Sequence, residues 1–317
     1  MRPGLGVYLP IAALCWCQAA LGGNAQLFAQ IMLGYDSNPA QTQTPAGAAF
    51  ASYAAGIENE RYIDGSAWGL SLNAWYRDYE GMGDSYRTNL LGSWSTETED
   101  GLGRVTLSIE GNLYRDALVP ADERNEAALA LGWSRSLSAR DDFTIETAVR
   151  WLAYRNESLP WQGRPGAATA NRSPRGAERE GSLAAVRRTD RIASLDLHSA
   201  HYWTPTISTS VDLYLARRDS PVRLEAYRQL GAGLSLRLTP ATDWQLDLAL
   251  DGYGRQYDRA PRQLERNDKR LGAALVLRRK MDAGELSCGL ETSHNRSNIS
   301  TKSFRQWVSQ CGSFWTF

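Results

Sequence analysis

Past its first two dozen residues the chain has no apolar run near the ~20 residues that a membrane-crossing helix requires. Its mean hydropathy of -0.43 is too polar for a helical membrane protein. Histidine is scarce, with only His198, His201 and His294. No spacing of His, Cys, Asp or Glu resembles a metal site, and no phosphate loop or dinucleotide fingerprint occurs. Neither a metal nor a cofactor is therefore expected. Neither charge is in excess: Lys and Arg total 35, as do Asp and Glu, so no global field draws in nucleic acid. Cysteine is sparse too, with 4 residues, of which Cys15 and Cys17 lie near the start.

Residues 1–25 have the pattern of an export signal peptide. Arg2 supplies the positive end, Val7 to Leu21 is apolar, and Gly23-Asn24-Ala25 offers small residues ahead of Gln26. Leu14 before Cys15 and Trp16 before Cys17 are too large for lipoprotein processing. Cleavage would leave 26–317 as one domain in an oxidising compartment, with Cys288 and Cys311 as its cysteines.

What the remainder has in abundance is alternation. Trp68, Leu70, Leu72, Ala74 and Tyr76 alternate with Gly69, Ser71, Asn73, Trp75 and Arg77. Val105, Leu107 and Ile109 alternate with Thr106, Ser108 and Glu110. Similar segments recur to the end of the chain, about fourteen in all. Segments of ~10 alternating residues between turns characterise membrane β-barrels, whereas soluble strands usually run ~5–6 residues. Trp and Tyr, at 11 and 14, outnumber Phe at 6, a mixture suited to membrane–water interfaces.

The expected fold is all-β: a transmembrane antiparallel up-and-down β-barrel of about fourteen strands. Short turns fall after the even-numbered segments, at Tyr62-Ile63-Asp64-Gly65, Glu99-Asp100-Gly101, Thr204-Pro205 and Thr239-Pro240-Ala241-Thr242 among others. Longer or more irregular connections follow the odd-numbered segments, the third included. Such barrels have short periplasmic turns and longer external loops, so both termini are expected in the periplasm.

A charge facing lipid at mid-membrane costs ~2–4 kcal/mol. Glu110, Glu146, Arg150, Asp196, Asp212, Arg237, Asp247, Asp251 and Arg278 all fall on the polar side of their segments and are expected to line the lumen. They could flank a hydrated pathway, or pair into a network that narrows it. Residues 156–190 form one long irregular stretch rich in arginine, an external loop or a plug. Its arginines suit anionic sugars or lipopolysaccharide phosphates. Cys288 and Cys311 fall nearly opposite each other on the last two segments, either bridged or as two free thiols among apolar residues. Ser199 and His201 share an outward face, but no third group in the sequence orients the imidazole, so no enzyme is expected.

The chain ends in Gln310, Gly312, Trp315 and Phe317: polar, any, glycine, two of any, aromatic, any, aromatic. This resembles the insertion signal of bacterial outer-membrane barrels, which implies the barrel-assembly machinery as a partner, together with outer-membrane lipids and lipopolysaccharide. Gly34-Tyr35-Asp36-Ser37-Asn38, Arg266-Asn267-Asp268-Lys269-Arg270-Leu271-Gly272-Ala273 and Ser297-Asn298-Ile299 precede that ending. With it they resemble the C-terminal barrel of surface lipoprotein assembly modifiers, the Slam proteins. The resemblance implies fourteen strands and a role in placing lipoproteins on the outer surface, with a lipoprotein or other exported cargo as partner. Slam proteins carry a periplasmic helical repeat domain ahead of the barrel, whereas here the first strand begins almost at the expected cleavage site. A passive porin-like channel for small solutes is the alternative function.

Overall fold

The computed structural model describes residues 25–155, 188–222, 225–258 and 265–317. Residues 1–24 of the expected signal peptide and 156–187 of the long loop lie outside them. Fourteen strands account for most of the described chain. They are β1 (Ala25–Asp36), β2 (Ala48–Ile63), β3 (Ser66–Tyr79), β4 (Gly83–Glu97), β5 (Gly103–Asp116), β6 (Arg124–Ser138) and β7 (Asp141–Tyr154). The second half holds β8 (Thr189–Thr204), β9 (Ile207–Asp219), β10 (Tyr227–Ala241), β11 (Trp244–Tyr257), β12 (Asn267–Met281), β13 (Gly284–Ser297) and β14 (Phe304–Thr316). Each pairs antiparallel with its sequence neighbours, and β1 pairs with β14 to close the barrel.

The period-two pattern produces this wall directly. Residues opposed across an antiparallel pair project to the same side, so the register carries one face around the whole barrel. Leu33, Ile109, Leu230 and Leu271 point outward and are 64%, 65%, 62% and 69% exposed. A continuous apolar band of this kind far exceeds what a water-soluble surface tolerates and requires hydrocarbon around it. Outward aromatics rim the band. Trp68, Trp94, Trp133, Trp203, Trp244 and Trp315 lie near the end that bears both termini. Tyr35, Tyr53, Tyr76, Tyr86, Trp151 and Trp307 lie toward the other, the loop end.

The connections alternate as expected, with three differences. At the terminus end Asp64 and Gly65 alone join β2 to β3, both with positive φ (49 and 77°), the conformation of a two-residue hairpin turn. Tyr62 and Ile63 therefore belong to β2 rather than to the turn. At the loop end the third connection is only residues 80–82, as short as a hairpin turn, because β3 and β4 reach further than their apolar cores suggest. Thr239 and Pro240 also belong to a strand. β10 continues to Ala241 through a register shift between Leu238 and Ala241, an irregularity that accommodates a residue without an N–H. In the turn after β4, Asp100 accepts hydrogen bonds from the Thr98 hydroxyl and the Leu102 amide, which hold its carboxyl below the usual range.

The β1–β14 seam is tightly fitted. A Cβ at Gly312 would strike the Ile31 carbonyl and Met32, and one at Gly34 would strike Phe50 and the Ser309 carbonyl. At the loop end the seam is fastened by buried Asp36 and Asn38. Gln306 donates to both Asp36 carboxylate oxygens at 2.9 Å, and the Asn38 amide donates to the Arg305 carbonyl at 3.0 Å and the Thr42 carbonyl at 2.8 Å. Ser37 adds a bond to the Trp307 amide at 2.8 Å.

Cys288 and Cys311 are direct register partners on β13 and β14, 4.1 Å apart at Cα, and their sulfurs are joined in a disulfide. Both lie on the outward face, opposite Leu277 and Leu33 of the flanking strands. For a barrel expressed from Gln26 and then unfolded in denaturant, no maleimide labelling is expected until reductant is added, and two thiols per chain afterwards. Labelling before reduction would refute the bridge.

Candidate functional site on the inner wall

The same register that turns leucines outward turns Glu110, Glu146, Arg150, Asp196, Asp212, Arg237, Asp247, Asp251 and Arg278 inward, on six neighbouring strands and β5. The barrel brings them together at two levels and adds a third tier, at the loop end, that the sequence pattern did not single out.

At the middle level one wall is paired. Glu110 lies between Arg87 at 3.7 Å and Arg150 at 3.5 Å, and accepts from Asn89 at 2.6 Å and Asn112 at 2.7 Å. The adjoining wall is acidic. Glu146 sits directly across from Asp196, and Asp212 shares a row with Gly233, Asp251 and Gly272. Asp212 contacts His198 at 2.6 Å, whereas Glu146, Asp196 and Asp251 have no ion pair among the described residues. Glycines opposite these carboxylates leave them room: the Asp251 carboxylate lies over Gly272, where a Cβ would collide with it.

Toward the terminus end, Asp247 joins Arg237 at 2.8 Å, Gln245 at 2.8 Å and Arg278, and Arg278 also reaches Glu285 at 3.5 Å. Here the lining is a closed network of opposite charges. Unpaired carboxylates and a closed network of opposite charges thus occur at different levels of one wall.

The loop-end tier is a ring of arginines stacked on aromatic rings. Arg188 lies 4.1 Å over Tyr154, Arg266 4.1 Å over Tyr257, Arg77 4.2 Å over Phe50 and Arg255 4.4 Å over Tyr253. Stacking of this kind contributes about 0.5–2 kcal/mol per contact, more where water is excluded. Asp190, fully buried, accepts from Arg188 at 2.9 Å, Arg218 at 2.8 Å and Ser220 at 2.6 Å. Arg266 pairs with buried Asp268, and Arg124 with buried Glu126 at 2.6 Å. Arg77 and Arg255 have no carboxylate partner among the described residues, and the Arg77 Nε is buried without an acceptor.

The terminal motif residues divide between the faces. Gln310 and Gly312 face inward on the seam, while Trp315 and exposed Phe317 face outward. His201 also faces outward. Its Nδ1 meets Asp141 at 2.7 Å, and Trp203 packs edge-on at 4.3 Å. The orienting carboxylate missing from the local sequence thus comes from the next strand over, 60 positions away.

The sequence matches no family model and no curated protein. Solved outer-membrane structures nevertheless resemble it over nearly their full lengths. A loop-L8 deletion mutant of OmpT, an outer membrane protein of Vibrio cholerae, matches with 92% of this chain and 99% of that one covered, at a TM-score of 0.50 and 6% identity. A deletion mutant of the TodX monoaromatic hydrocarbon channel matches over 93% and 90% at 0.50 and 10% identity. A bacterial polysaccharide outer membrane secretin matches over 92% and 97% at 0.50 and 9% identity. At such identities the likeness concerns the fold alone. The chain is a closed, antiparallel, fourteen-stranded β-barrel of the outer-membrane type.

Proposed function

We propose that the protein is a bacterial outer-membrane barrel that carries hydrophilic, charged solute or cargo across the membrane through its lumen. The observation that carries this is the acidic wall at mid-height. An ionised carboxylate buried without a partner costs several kcal/mol, so a cluster such as Glu146, Asp196 and Asp251, with no ion pair among the described residues, is best accommodated beside water. A wet middle level, between two tiers of organised charge, suits passage rather than a filled core. Fourteen strands also lie between barrels packed solid by side chains and those with wide channels. The His201–Asp141 pair, beside Trp203 on the lipid side, fits an interfacial anchor, and no catalytic role is assigned to it.

Planar-bilayer recording tests the proposal. Steady current selective for cations is expected, and the quadruple variant E146Q/D196N/D212N/D251N should lose most of that selectivity while retaining conductance. A barrel that stays silent under all voltages, or a selectivity unmoved by the four substitutions, would overturn a conducting lumen.

The likeness to Slam barrels supports a second function, delivery of lipoproteins to the cell surface. Its motif segments converge at the loop end: Asp36 and Asn38 fasten β1 to β14, while Asn267 and Asn298 bond across β12 and β13 at 2.8 Å. A silent barrel whose deletion removes a lipoprotein from the surface would favour delivery over conduction.

A further inference from the structure

The outward face carries a pattern that the lumen does not use. At the loop end of β8–β10 and β12–β14, just beyond the apolar band, the outward positions include Arg191, Arg217, Arg228, Lys269, Arg296 and Arg305, all exposed, while β11 between them presents Gln256, which donates to Glu265 at 2.6 Å. Two pairs set like charges directly opposite each other: Arg217 faces Arg228, and Lys269 faces Arg296. Such pairs destabilise a sheet unless something neutralises them. Arg217 has Asp219 at 2.9 Å, but Arg228, Lys269 and Arg296 have no carboxylate partner among the described residues. At the same end of β3 and β4 the pattern inverts, with Asp78 facing Asp84. Arg115 of β5 also faces outward at this end, but it donates to the Tyr114 and Arg124 carbonyls and to Asn125, so the unpaired outward cations of the strands at this end are concentrated on β8–β14. Two positions nearer the membrane centre, Arg217 gives way to Leu215, Arg228 to Leu230 and Lys269 to Leu271, all exposed.

We propose that this half-collar binds a phosphorylated glycolipid headgroup of the outer leaflet, with phosphates on the cations and acyl chains on the leucines. Three strand spacings, roughly 14 Å, separate the Arg217–Arg228 pair from the Lys269–Arg296 pair. That span suits two separate phosphates on one sugar headgroup better than the single phosphate of an ordinary phospholipid. The juxtaposition of bare cations over bare leucines leaves each half of the site without a partner in the protein itself. The assignment rests on the outer-membrane placement proposed above, and in turn puts the loop end in the outer leaflet and both termini in the periplasm.

The test uses the purified barrel in neutral detergent, titrated with bisphosphorylated lipid A, dephosphorylated lipid A or phosphatidylglycerol. Binding is read from the temperature at which the compact, unheated band on a denaturing gel is lost. Lipid A is expected to raise that temperature, and the other two lipids to do so far less. The triple variant R228Q/K269Q/R296Q should give the same compact band yet bind lipid A on the order of a hundredfold more weakly, at ~1 kcal/mol per cation near an anionic surface. D78N/D84N should match the unaltered barrel. Equal response to phosphatidylglycerol or to dephosphorylated lipid A, or an unaltered response of the triple variant, would overturn the site. Failure of the membrane placement looks different: no compact band would form with any variant.

Discussion

Replacing Asp190 by alanine is expected to destabilise the barrel by ~3–5 kcal/mol, the usual cost of leaving a buried charge without its partner. Asp190 has no exposed surface and holds two guanidinium groups and a hydroxyl, from the residue just before β8, from β9 and from the connection after β9. Removing it leaves Arg188 and Arg218, only 13% and 12% exposed and close together over the Tyr154 ring, to share the more distant Glu225 carboxylate at 3.4 and 3.9 Å. Neither can turn to bulk water without giving up that stacking. Asp190→Asn, which keeps one acceptor oxygen but no charge, should fall between the two. The measurement is urea unfolding in detergent followed by loss of the compact gel form. A loss below ~1 kcal/mol for the alanine variant, the range of exposed ion pairs, would refute the account of this cluster.

Gly312→Val is expected to abolish barrel closure even in a refolding mixture without any assembly factor. The new Cβ would overlap the Ile31 carbonyl oxygen and the Met32 Cα on β1, both backbone atoms that cannot swing aside cheaply, as well as the Met32 sulfur. Phe317→Ala should behave in the opposite way. Its side chain is 71% exposed, and its backbone keeps both bonds to Leu27, at 2.9 and 3.2 Å. It should refold normally in detergent and fail only in cells, as the resemblance of the ending to an outer-membrane insertion signal implies. The two variants thus separate two duties within one short motif. Normal in vitro closure of Gly312→Val would show that its glycine serves recognition rather than fit.

Much of this wall was legible in the sequence because one rule, period two, acts on every residue of every strand. An error of one position would have put leucines in the lumen and carboxylates in lipid, so the nine charged positions sorted together. The loop-end tier escaped notice because its partners come from separate connections: Gln306 reaches Asp36 across 270 positions, and Ser220 reaches Asp190 across 30. A local signal did exist. Arg124 and Glu126, Arg188 and Asp190, and Arg266 and Asp268 are each two apart near strand ends, which puts each pair on one face. Pro240 misled for a physical reason: proline usually ends a strand, but a register shift relieves the need for its missing donor. The short third connection was missed because β3 and β4 continue beyond the bilayer band in polar residues, where alternation of hydrophobicity fades.

The disulfide implies an order of events. Cys288 and Cys311 open onto the lipid side of the wall, beside Leu33 and Leu277. Oxidants and reductants that work by thiolate exchange travel in water, and a thiolate is not stable in hydrocarbon. The bond must therefore be made while the last hairpin is still surrounded by water, before the strands enter the bilayer. Once there it is sealed from soluble thiols. A hairpin already tied at its base would arrive at the membrane with the register of its final two strands decided, leaving the meeting of β14 with β1 as the last choice the chain has to make.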